Sequence, residues 1–181
     1  TGLKHHWRMD EVNASTFENN VTLTPDLTVT TIADPSIRSK WGLKRKAIEV
    51  QAGDFIDGAS IFPSGENTLS LWVYPIPGGG SPSLTLTFTG GAAFQISVPD
   101  SPASLTAIGF TGLPAGPVAD EWSHLVISDD DTDTKIYMNG QLVGTNNTAL
   151  SATDLAISGG DYLIDELMVY DRALEPFEIK Q

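Results

Sequence analysis

The sequence predicts an all-β fold in which two antiparallel sheets pack face to face. Short runs of β-branched and aromatic residues alternate apolar and polar side chains with period two, which gives each strand one buried face. Clusters of Gly, Pro, Asn and Asp punctuate these runs at short intervals, and helical periodicity is nearly absent. Many short strands with frequent turns point to a two-sheet antiparallel jelly-roll sandwich.

The elements follow in order. Leu3 to Val12 reads as a first strand, with Trp7 and Met9 on one face and His6, Arg8 and Asp10 on the other. Val21 to Ile32 is Thr-rich and extended, and Ala33-Asp34-Pro35 is a turn signal. Ala47 to Val50 and Phe55-Ile56 are short strands around Gly53-Asp54. Asn67 to Tyr74 is apolar on both faces, which predicts a place in the middle of a sheet. Leu84 to Thr89 points three apolar residues inward and three Thr outward, and Phe94, Ile96 and Val98 alternate the same way.

Glu121 to Gly144 reads as a meander. A strand from Trp122 to Ser128 enters the polar loop Asp129 to Asp133, which is expected to be solvated. Ile136 and Met138 then face one way, Lys135 and Tyr137 the other. Asn139-Gly140 supplies a tight turn, because both central positions of a type I′ turn need positive φ. Pro176 suits the first position of a short helix within Arg172 to Ile179, where its missing N–H leaves nothing unpaired. The core is expected around Leu71, Val73, Leu86, Phe88, Val126, Met138 and Leu167.

Composition narrows the classes. A chain of 181 residues is read as one domain, 1–181. The absence of Cys excludes thiol catalysis, zinc–thiolate sites and disulfides. A formal net charge of −13 repels phosphate backbones and argues against nucleic acid as a partner. No apolar run is long enough to span a bilayer, and Thr1 to Val12 lacks the apolar core of a signal peptide. Either a signal was removed before Thr1 or the chain is made without one.

Several motifs in fixed order carry a family resemblance: Leu71-Trp72-Val73-Tyr74-Pro75, Trp122-Ser123-His124, Tyr137-Met138-Asn139-Gly140, Ile164-Asp165-Glu166, and Arg172-Ala173-Leu174 before Glu178-Ile179. Together they resemble the laminin-G-like, concanavalin A-like jelly rolls, in the variant common in bacterial and viral multidomain proteins. The resemblance implies neighbouring first and last strands, Trp72 and Trp122 in core positions, and a structural His124. Family members often bind Ca²⁺.

In the run Leu163 to Tyr170, apolar on both faces, one of Asp165 and Glu166 shares a face with Leu163, Leu167 and Val169 and the other with Ile164, Met168 and Tyr170, so each carboxylate needs a partner or must stay protonated. A backbone N–H, Arg8 or Arg172 is one kind of partner. The other, implied by the resemblance, is Ca²⁺ held by Asp165 with Asp10 or Glu11. Trp41, in a polar basic loop, is the candidate for an exposed stacking platform. Arg38, Lys40, Lys44, Arg45 and Lys46 hold five of the ten basic residues, so the rest of the chain carries 5 − 23 = −18. That segment is poised to meet an acidic partner, in a second copy or on an anionic polymer.

No Glu-x-Asp spacing of the kind carried by jelly-roll glucanases lies on a strand, and a non-catalytic chain is expected. The expected function is a recognition module that binds carbohydrate or another surface ligand. The alternative is a virion structural protein, decorating a capsid or building a head surface or fibre, with the jelly roll serving assembly. Both readings place the chain outside the cell or on a virion surface. The partner is then a glycan, a protein surface, another copy of the chain or a capsid neighbour.

Overall fold

A computed structural model describes residues 2–10, 16–17, 19–21, 27–30, 39–43, 45–78, 82–91 and 94–180, with backbone alone at 16–17, 27–30 and 39–41. Two antiparallel sheets enclose one main core. Among the described residues the first has eight strands and the second seven. Those of the first are β13 (Gln141–Asn146), β12 (Thr134–Met138), β11 (Ser123–Asp129), β7 (Asn67–Pro75), β15 (Tyr162–Tyr170), β5 (Lys46–Val50) and β4 (Ser39–Trp41) in spatial order, with β1 (Leu3–Trp7) also on β15. The order of the second is β10 (Thr106–Ala107), β9 (Phe94–Pro99), β8 (Ser83–Thr89), β14 (Asp154–Gly160), β6 (Asp54–Gly58), β3 (Leu27–Thr30) and β2 (Thr16–Phe17).

Alternation builds the core. From the larger sheet come Leu69, Leu71 and Val73 of β7, with Leu125 and Ile127 of β11. Leu84, Leu86 and Phe88 of β8 face them, beside Ile96 and Val98 of β9 and Ile157 of β14. Each of these side chains is buried, and each Leu or Ile so buried contributes about 2 kcal/mol. β7 lies centrally, as its two apolar faces require. Of the expected core set, Val126 is buried in a separate small cluster with Tyr137 and Ile179, and Met138 packs partly buried on the main core.

That small cluster covers one end of the larger sheet's outer face. The short helix α1 (Pro176–Ile179) begins at Pro176 and drops Ile179 onto Val126 and Tyr137. A two-pronged ion pair closes the segment: Arg172 Nη1 and Nη2 reach the two Glu178 carboxylate oxygens at 2.6 and 2.7 Å. The turn at Asn139-Gly140 has positive φ at both residues, 50° and 74°.

Four expectations are corrected. The first strand ends at Trp7 rather than Val12 among the described residues, because Met9 adopts a left-handed φ of 58°. Trp72 and Trp122 are half-buried on the outer face of the larger sheet and stand outside the core. Their positions alternate with the inward Leu71, Val73 and Leu125. Asp129 is buried rather than solvated, since it accepts N–H bonds from Asp131 and Leu150 and so ties the hairpin loop to a distant segment. Finally, the face assignment along β15 shifts at Asp165–Glu166, where an extra residue interrupts pairing with β7. Tyr162 and Ile164 precede that bulge on the core face, and Leu167 and Val169 follow it there.

Candidate functional site

Two places concentrate polar chemistry. The first is where the sequence points, at the junction of β1, the β15 bulge and the β4–β5 turn. β1 pairs with β15, His6 opposite Met168 and Trp7 opposite Leu167. The bulge puts Glu166 at φ 47°, an uncommon conformation for a non-glycine residue, and turns its carboxylate toward β1. Glu166 Oε2 then lies 2.5 Å from His6 Nε2. Asp165 is 2% exposed, and its two oxygens accept the N–H groups of Leu43 and Glu166, each at 2.8 Å. Burial raises its pKa from 3.8 to about 6, against the opposing pull of those two backbone bonds. Gly42 is required here: a Cβ would stand 2.6 Å from the Asp165 carboxylate and closer still to the Lys46 carbonyl.

Asp10 reaches the same junction and accepts the Lys46 N–H at 3.1 Å. Thus Asp10 and Asp165 are brought near one another, as strand pairing requires. Both are engaged by backbone donors. Among the described residues no three His, Asp or Glu side chains converge as ligands of one ion. Glu11, the other carboxylate expected to join Asp165 around Ca²⁺, lies outside the described residues. Arg38 and Lys44 also lie outside them, as do the side chains of Lys40 and Trp41, whose backbone forms β4. Arg45 is exposed and Lys46 half-buried.

Further along the outer face of the larger sheet, polar groups pair with one another, although the buried His124 Nδ1 has no hydrogen-bond partner among the described residues. The His124 ring stacks on Trp72 with centroids 5.0 Å apart, and its Nε2 lies 2.8 Å from Ser70 Oγ. Burial pushes its pKa down to about 4, so the imidazole is neutral at pH 7. Tyr74 packs against Trp122 and donates its hydroxyl hydrogen to Asp120.

The second place was not picked out from the sequence. On the outer face of the smaller sheet, one cross-strand row runs through five strands. Phe55 of β6 stands opposite Ser158 of β14, Ser158 opposite Thr85 of β8, Thr85 opposite Ser97 of β9, and Ser97 opposite Thr106 of β10. At about 4.8 Å between strands, the row spans about 19 Å. Phe55 is 46% exposed, and Ser158, Thr85, Ser97 and Thr106 all reach solvent. A hollow of about 470 Å³ opens at the Phe55 end, lined by Asp54, Ser83, Thr85, Ser158, Gly159 and Asp161 among others. Another of about 240 Å³ opens beside Gln95, Ser97, Thr106 and Ile108. Gly159 floors the first, since a Cβ there would stand 2.1 Å from the Ser83 carbonyl oxygen. The outward Thr residues of β8 were visible in the sequence. An exposed Phe on a polar face, in Asp54-Phe55-Ile56-Asp57, was the further signal.

Chemically the row offers hydroxyls, each donor and acceptor, and one apolar ring face. It carries no formal charge on a molecule of net charge −13. Among the described residues no helix is long and apolar enough to cross a membrane.

Known proteins share this architecture. Trypanosoma rangeli sialidase in complex with the inhibitor DANA superposes with a TM-score of 0.70 at 16% identity, over 99% of this chain and 32% of that one. The chain therefore spans about a third of the sialidase. Domain 4 of AbnA, a GH43 extracellular arabinanase from Geobacillus stearothermophilus in complex with arabinotriose, superposes with a TM-score of 0.66 at 20% identity, over 98% of this chain and 96% of that domain. No curated protein matches by sequence. A laminin G family model, described as the concanavalin A-like lectin/glucanases superfamily, matches residues 50–180. The chain belongs to the concanavalin A-like lectin/glucanases superfamily.

Proposed function

We propose that the protein is a non-catalytic carbohydrate-recognition module, and that a neutral oligosaccharide lies across the strands of the smaller sheet along the row from Phe55 to Thr106. The row of paired hydroxyl side chains is the observation that carries this reading. A saccharide presents hydroxyl groups that both donate and accept, and Ser and Thr hydroxyls answer either role. A sugar ring also has an apolar face, which stacks on an exposed aromatic ring such as Phe55. The hollow at that end has the volume of a small-ligand site. The likeness to domain 4 of the arabinanase AbnA, in complex with arabinotriose, supports the same class of ligand.

The absence of charge along the row supports binding rather than hydrolysis, which uses a pair of carboxyl groups flanking the bond that breaks. Asp54, at the nearby hollow, is 2% exposed and accepts the Gln51 N–H at 2.8 Å. The test is a glycan array followed by calorimetry with neutral trisaccharides, arabinotriose among them. Binding that weakens roughly three- to tenfold in Phe55→Ala supports the reading, since one aromatic stack is worth about 0.5–1.5 kcal/mol. Binding equally tight in that variant, or no neutral saccharide bound, overturns it.

A further inference from the structure

The junction of β1, β15 and the β4–β5 turn holds a third hollow, of about 240 Å³, lined by His6, Arg8, Asp10, Arg45 and Glu166. Its two arginines are unusual for this chain. Acids outnumber Lys and Arg by 23 to 10, yet neither the Arg8 nor the Arg45 guanidinium makes an ion pair or hydrogen bond among the described residues. They come from segments 37 positions apart in the sequence (45 − 8) and still face one hollow. The acids beside them are partly occupied. Glu166 is held by His6, and Asp10 Oδ1 accepts the Lys46 N–H, leaving Oδ2 open among the described residues.

We propose that this hollow binds an acidic saccharide unit, with Arg8 and Arg45 taking its carboxylate or sulfate group and Asp10 accepting a neighbouring hydroxyl. A guanidinium presents paired donors whose geometry matches an oxyanion, so two guanidiniums without a partner among the described residues, at one hollow, favour that group over a neutral one. The open Asp10 oxygen would repel a bare anion, and it suits a ligand that also carries a hydroxyl donor. An acidic peptide side chain lacks that hydroxyl. The site lies on the opposite sheet from the row at Phe55 and stands without it.

The experiment is calorimetry on the whole chain at low ionic strength with four probes: glucuronate, glucose, inorganic sulfate and an Asp-Glu dipeptide. Glucuronate is expected to bind, and Arg8→Gln and Arg45→Gln are each expected to weaken it about tenfold, the scale of one charge-assisted hydrogen bond. Both arginines are exposed, so each variant should keep the parent melting temperature. Phe55→Ala should leave glucuronate binding unchanged, which separates this site from the other. Glucose binding as tightly as glucuronate overturns the oxyanion assignment, as does unchanged binding in both Arg variants. Sulfate or the dipeptide binding as tightly as glucuronate overturns the saccharide.

Discussion

The two outer faces of the sandwich use polar residues in opposite ways. On the larger sheet, polar side chains are sunk and committed: Asp165, His124, Ser70 and Thr68 are buried on the outer face, and Asp129 is buried at the end of the core-facing row of β11. Thr68 Oγ donates to the Arg172 carbonyl and accepts the Leu174 N–H, holding down the segment that leads to α1. On the smaller sheet, half-buried Ser158, Thr85 and Ser97 and exposed Thr106 reach solvent, in register, on strands whose other faces are apolar. A polar group already saturated by the protein holds structure together. A polar group still facing water is available to a ligand. Site-hunting by residue type alone leads to the first face, because carboxylates and histidines stand out there.

The sharpest way to break this contrast is to remove a committed group. Asp129→Ala leaves the Leu150 and Asp131 N–H groups without their acceptor, and should lower stability by roughly 2–4 kcal/mol in denaturant melts. A loss within experimental error would show that the buried carboxylate is not structural.

A smaller effect comes from proton linkage, and it has two opposing parts. Asp165 is raised from 3.8 to about 6, so between these values the folded state binds more protons than the unfolded state. Its contribution to stability is present below 3.8 and lost as pH rises through about 6. His124 is lowered from 6.5 to about 4, so its contribution is present above 6.5 and lost as pH falls through about 4. Asp165→Asn should therefore leave a melting temperature that climbs more steeply with pH across this window, and His124→Gln should flatten or reverse the climb. Parallel pH profiles for parent and both variants would contradict these assignments.

How much of this was legible in the sequence follows from the same contrast. Period-two alternation in Leu84–Thr89, the Asn139-Gly140 turn and Pro176 before Ile179 are local signals, and each element formed where local chemistry placed it. The bulge at Glu166 was not legible. It depends on pairing β15 with both β7 and β1, and a one-residue slip exchanges the faces of every later residue. The hydroxyl row was hidden for a related reason. Its members are scattered from Phe55 to Ser158, and only the strand order β10-β9-β8-β14-β6 brings them side by side. Trp72 misled because its motif belongs to the fold while its side chain lies on the outer face.

The smallest stability effect is expected on the open face. Phe55→Ala and Thr85→Val should change unfolding free energy by no more than about 0.5 kcal/mol, since neither side chain lies in the core. A large loss from either would mean that this face, too, is structural.

The most direct test of the central claim is backbone amide chemical-shift mapping with a neutral trisaccharide that the array retains. The account predicts perturbations concentrated at Phe55, Thr85, Ser97, Thr106 and Ser158, saturating together at one affinity. Perturbations confined to Trp72, Tyr74 and Trp122 on the other sheet, or no saturable shifts on either face, would contradict it.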